Sequence, residues 1–118
     1  MIIDGYTGDH IANKNDNDVM GLYIHNTNAN YIPANLGMFF NLKVLYIQNS
    51  QLIKITSKDF QGMQNLEHLS LYGNKLVSVP TDAFSTLTKL RQIHLNNNQI
   101  QYIGCGLVTD FDPLYSNT

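Results

Sequence analysis

Leu42, Leu66 and Leu90 stand at a constant interval of 24 residues, and six further apolar columns keep that interval. These are Leu45, Leu69 and Ile93; Ile47, Leu71 and Leu95; Leu52, Leu76 and Ile100; Ile55, Val79 and Ile103; Phe60, Phe84 and Val108; and Met63, Leu87 and Phe111. Each unit reads L-x-x-L-x-L-x-x-(N/S)-x-L-x-x-(I/V)-x-x-x-x-F-x-x-(L/M). A fixed period of this length identifies a stack of similar units. Burying an apolar side chain stabilises by roughly 1.5–3 kcal/mol, while ordering each residue costs about 1.5 kcal/mol. One unit therefore cannot stand alone, and its stability must come from its neighbours.

Within each unit the x-L-x-L-x stretch alternates apolar and polar residues, the period of a strand with one buried face. Successive units stack these strands in parallel. Asn74 and Asn98 follow the strands at the same offset and are expected to turn their amides inward, satisfying backbone groups that stacking would bury. Ser50 and Thr27 occupy the same column and can do so only in part. On the return segment Phe60 and Phe84 are expected to form an aromatic spine, for which Val108 is a weaker substitute.

An earlier unit carries Val19, Leu22, Ile24, Ile32, Leu36 and Phe39 and is set off from the next by 23 residues. The repeat array therefore spans 19–112, divided approximately as 19–41, 42–65, 66–89 and 90–113, with 113–118 beginning a further unit at Pro113 and Leu114. Residues 1–18 show no matching period and are expected to cap the first unit, with Ile2, Ile3 and Tyr6 as covering side chains; the alternative, that the segment is unstructured, stays open because 13–18 have loop composition. The expected fold class is an α/β solenoid of about four repeats.

Several function classes are excluded by composition. The net charge is −2, and the seven Lys and Arg are spread from Lys14 to Arg91 with no basic run, so nucleic acid and anionic membranes are not expected partners. No apolar stretch approaches the roughly 20 residues needed to cross a bilayer, so membrane insertion is not expected. Met1 to Tyr6 lack the basic and apolar regions of a secretory signal, from which any export signal is expected to have been removed or never to have existed. Cys105, between Gly104 and Gly106, has no second cysteine with which to pair, and reads as a small loop residue, a reactive thiol or half of an intermolecular bridge.

The residues that carry a family likeness are Tyr31 to Leu36, Asn41 to Ile47, Asn65 to Leu71 and Leu87 to Asn98. With the flanking parts, they make the chain from about 19 to 114 resemble the extracellular "typical" leucine-rich-repeat family. That family includes Toll-like receptor ectodomains, variable lymphocyte receptors and small secreted insect repeat proteins, the last giving the nearest look. The resemblance implies an arc with a concave parallel sheet and a mostly irregular or 3-10 convex side. It also implies secretion, recognition of another protein or extracellular ligand, and no enzymatic activity. The sequence departs from the family in lacking cysteine-bearing caps and in its small number of units.

Polar positions of the strand pattern must face out of the concave sheet. Those expected to touch a ligand are Tyr23, His25, Tyr46, Gln48, His68, Ser70, Tyr72, Gln92, His94 and Asn96. Tyrosine offers apolar area with a hydrogen-bonding tip at low entropic cost, which suits protein recognition; each such residue is also tolerable as an ordinary exposed strand residue. No metal or other cofactor is expected, because His68 and His94 have no Asp or Cys on this stripe to complete a zinc site. Catalysis is not expected either: Ser70 beside His68 or His94 lacks an orienting carboxylate, and an open arc excludes water poorly. A second reading is self-association through an uncapped C-terminal end, with Phe111 and Leu114 as the contacting residues. Against it stands the possibility that 107–118 fold back as an improvised cap.

Overall fold

The computed structural model describes residues 19–103 together with the strand segments Gly5–Gly8 and Gly106–Leu107. Phe111, Leu114, Val108, Cys105 and most of 1–18 lie outside the described residues.

The alternating stretches form strands: β2 (Val19–His25), β3 (Val44–Gln48), β4 (His68–Ser70) and β6 (Gln92–His94). They lie side by side in parallel in the register set by the period, with Leu22 opposite Leu45, Leu45 opposite Leu69, and Leu69 opposite Ile93. Beside β2 runs β1 (Gly5–Gly8), which is antiparallel and breaks register between Thr7 and Gly8. The sheet order is thus β1-β2-β3-β4-β6. Backbone bonds continue the ladder at both ends of the strands. The Lys43 amide donates to Met20 O, Glu67 to Lys43 O and Arg91 to Glu67 O; beyond the strands Asn49 donates to Tyr72 O and Gly73 to Asn96 O.

Leu45, Ile47, Leu69, Leu71, Ile93 and Leu95 turn inward and are buried, joined in one core by Leu52, Ile55, Leu76 and Val79 from the return segments. Phe60 is fully enclosed, and its ring lies 5.6 Å from that of the half-buried Phe84 at 50°, forming the spine the period calls for.

The convex side returns through 3-10 turns at Leu36–Met38 and Ser57–Phe60, and in the third unit through turns over 81–86. Thr56 and Asp59 close the second 3-10 turn with a reciprocal capping box, the Thr56 amide donating to Asp59 Oδ2 at 2.8 Å. The first two turns touch backbone to backbone: a Cβ on Gly37 would collide with the Gln61 carbonyl oxygen, and Gly62 beside it holds φ at +87°. The convex side also carries a small second sheet that periodicity did not announce. There β5 (Ser78–Val79) pairs in parallel with β7 (Tyr102–Ile103), which pairs antiparallel with β8 (Gly106–Leu107).

The inward amides form the ladder expected of them. Asn74 Oδ1 accepts from the Ser50 and Leu52 amides at 2.9 and 3.2 Å, and its Nδ2 donates to Ile47 O at 2.7 Å and Leu71 O at 2.9 Å. Asn98 repeats the pattern one unit on, accepting from Leu76 N–H and donating to Leu71 O and Leu95 O. The shorter residues of this column make local bonds instead, Ser50 Oγ to Gln48 O and Thr27 Oγ1 from Ala29 N–H.

Candidate functional site

Because Leu22, Ile24 and their equivalents point inward, the residues between them form three rows across the outer face of the sheet. Register sets Gly21, Val44, His68 and Gln92 in the first row, and Tyr23, Tyr46, Ser70 and His94 in the second. His25 lies opposite Gln48, and the bonds from Asn49 and Gly73 continue this third row to Tyr72 and Asn96. None of these twelve residues carries a carboxylate, ammonium or guanidinium. The flanking Glu67 and Arg91 hold each other at 3.9 Å outside the rows.

All ten residues expected to touch a ligand lie on this face. Six of them, Tyr46, Gln48, Ser70, Tyr72, His94 and Asn96, line one shallow cavity of about 260 Å³. Tyr23 stands at its margin with its ring edge-on to Tyr46, 5.3 Å away at 86°; His25, His68 and Gln92 lie outside it. Ser70 differs from the expectation of an exposed contact. It is 2% exposed because Gln48 lies across it, Nε2 donating to Ser70 Oγ at 2.9 Å, so the pair makes a floor. His68 faces Gln92 while His94 faces Ser70, leaving the two histidines two positions out of register. Among the described residues no three His, Cys, Asp or Glu side chains gather as metal ligands.

Two features of the site escaped sequence reasoning. Asn26, Asn49, Gly73 and Asn97 end the four strands in the left-handed region, at φ of 56°, 52°, 73° and 57°, a conformation Asn and Gly tolerate best. The recurrence of Asn or Gly directly after the third row was the available signal. From this column Asn97 also fixes the cavity rim, its Nδ2 donating to Tyr72 Oη at 2.7 Å. The second feature is Asn96 Oδ1, which is shut off from solvent with no hydrogen-bond partner among the described residues. A larger cavity of about 660 Å³ lies on the convex side, where Pro33, Asn35, Met38, Lys58, Asp59 and Gln61 contribute to its wall. Nothing in the repeat pattern pointed to it.

Parallel strands in repeat register, inward asparagines and an exposed polar concave face define a repeat solenoid of the recognition-scaffold class. A family model described as leucine rich repeat matches residues 40–100, more than half of the chain. The chain belongs to the leucine-rich-repeat family. It is similar to podocan of Mus musculus (41% identity over 58 residues, 48% of this chain and 10% of that protein). It is also similar to fibromodulin of Bos taurus (30% over 84 residues, 70% of this chain and 22% of that protein). A third likeness is to the human leucine-rich repeat-containing G-protein coupled receptor 5 (37% over 73 residues, 61% of this chain and 8% of the receptor). The chain thus spans about a fifth or less of the length of these relatives. Among the described residues no helix is long and apolar enough to cross a membrane.

Proposed function

We propose that this chain is an extracellular, non-catalytic recognition module that binds a partner protein across its concave sheet. The observation that carries the reading is the clustering of six expected contact residues around one cavity, with Tyr23 packed against its margin. Tyrosines held by neighbours supply contact area without much further ordering cost, and Tyr46 and Tyr72 are both so held. The membership of the family supports a binding role in place of catalysis. Self-association through Phe111 and Leu114 is the alternative; Asp substitution at either residue would then give a monomer.

The test is affinity capture from the source's extracellular fluid, comparing the unmodified protein with a variant in which Tyr46, His68, Tyr72 and His94 are Ala and which keeps the native circular-dichroism spectrum. A protein retained by the unmodified chain and lost by the variant supports concave-face binding. Equal recovery by both, or recovery of further copies of the chain alone, defeats it.

A further inference from the structure

Charge is sorted across this molecule. None of the Lys, Arg, Asp and Glu residues of 19–103 belongs to the concave rows, whereas all three histidines of that span, His25, His68 and His94, do. Each row holds one of them, so they are spread over the face. Val44 and Gln92 flank His68, Ser70 stands beside His94, and Gln48 lies opposite His25. The other titratable side chains of the rows are the phenols of Tyr23, Tyr46 and Tyr72. Beside β2, the strand Gly5–Gly8 adds no acid or base that could pair with an imidazolium. The column ahead of the first row holds Lys43, Glu67 and Arg91, and the Glu67 carboxylate already faces Arg91 at 3.9 Å. Histidine is the side chain whose ordinary charge change falls between pH 5 and 8. A face without fixed charge therefore becomes a cationic one across that range, with no carboxylate in its rows to balance it.

Any partner covering the rows must take water from these imidazoles, and exclusion of water favours their neutral form. His68 and His94 are half-buried already. They sit on neighbouring strands two positions out of register, roughly 8 Å apart by strand spacing and rise, so their protonated forms also repel each other. Charge matching says what kind of surface the face fits. While the histidines are neutral, a carboxylate buried against the rows would meet no cation, and an ammonium would meet no carboxylate. The matching surface is uncharged. We propose that the concave face is a pH-gated docking surface, which holds an uncharged patch of a partner protein at neutral pH and releases it as His25, His68 and His94 take up protons. This rests on the recognition role above and adds its regulation. Because the complex keeps the imidazoles neutral, affinity is complete where the free histidines are already neutral. It falls as pH drops through the range in which they gain protons, by up to about tenfold per pH unit for each histidine so held.

The probe is the protein that the intact chain retains from the source's extracellular fluid at pH about 7.5. Its affinity is measured by calorimetry at pH about 7.5 and about 5.5, the two sides of the histidine range, at constant salt of about 0.15 M. The expected result is a loss of about tenfold or more at the lower pH, with the circular-dichroism spectrum of the free chain unchanged. In the double variant His68→Gln, His94→Gln the ratio of the two affinities should move toward one, whatever its affinity at the higher pH has become. Lys43→Gln, at the border, should leave the ratio as it is. A second measurement needs no variant: by NMR, the ring-proton resonances of His68 and His94 should hold their neutral positions to lower pH in the complex than in the free chain. Equal or tighter binding at the lower pH, an unchanged ratio in the double variant, or identical histidine titrations free and bound would overturn the gate and leave concave-face recognition standing. Retention of no protein that depends on the concave face would overturn both.

Discussion

Replacing Asn74 by Leu removes one side chain and strands three backbone groups. The Ser50 and Leu52 amides lose Asn74 Oδ1 as acceptor, and Ile47 O loses Nδ2 as donor. Leu71 O keeps a partner because Asn98 Nδ2 also reaches it, at 2.8 Å. The site is 4% exposed, so water cannot easily substitute, and each orphaned group costs about 1–3 kcal/mol. Some relaxation allowed, the sum is about 3–6 kcal/mol, a large share of the roughly 5–15 kcal/mol that holds a domain folded. Asn98→Leu is the internal comparison. Its side chain is only part-buried and leaves Leu76 N–H and Leu95 O exposed to replacement by solvent, for about 1–3 kcal/mol. Urea unfolding followed by far-ultraviolet circular dichroism and by tyrosine fluorescence, the chain having no Trp, gives both values if the slopes stay equal. A loss below about 1 kcal/mol for Asn74→Leu, or one no larger than for Asn98→Leu, would refute the ladder as a source of stability.

Three further outcomes follow from packing. Phe60→Ala should lower stability by about 3–5 kcal/mol, and Phe84→Ala by clearly less, since Phe60 is enclosed and Phe84 is not; thermal melting ranks them, and equal losses would contradict the spine. Gly37→Ala drives a Cβ into the Gln61 carbonyl and should cost about 1–3 kcal/mol, whereas an unchanged urea midpoint would show that the two turns separate freely. Asp59→Ala removes the acceptor for the Thr56 amide and should cost about 1 kcal/mol, with faster hydrogen exchange confined to 56–60.

Much of this architecture was legible because periodicity and register are the same information in a solenoid. Once Leu45, Leu69 and Ile93 share a column, their strands must align and the polar residues between them must share a face. The inward role of Asn74 and Asn98 was legible for a similar reason, being a column of one chemistry. The capping box was within reach as Thr56-x-x-Asp59 but concerns one turn and has no echo in the other units. The burial of Ser70 was not legible, since it depends on how far Gln48 reaches across to the next strand. The contact of Gly37 with Gln61 and Gly62 depends on where return segments meet in space, which the apolar columns leave undetermined; the register of β5 with β7 is that of the Val79 and Ile103 column, but that column does not say that these short stretches pair as strands. The concave rows could be written down from the sequence, yet which members converge on a cavity followed only from the side-chain bonds Gln48 to Ser70 and Asn97 to Tyr72.

The asparagine bonds all point one way. Asn74 fastens backbone groups of the unit before it at Ile47, Ser50 and Leu52, and Asn98 likewise reaches back to Leu71 and Leu76. The second and third turns of the coil are therefore each latched by the turn that follows, and the molecule has a grain. On a ribosome, a turn that has just emerged stays unlatched until some 22–27 more residues follow it, the separations these bonds span. Shortening from the two ends should then be unequal: a cut between Asn97 and Asn98 removes the latch on the turn it leaves behind, while a cut between Asn41 and Leu42 leaves both asparagine latches closed.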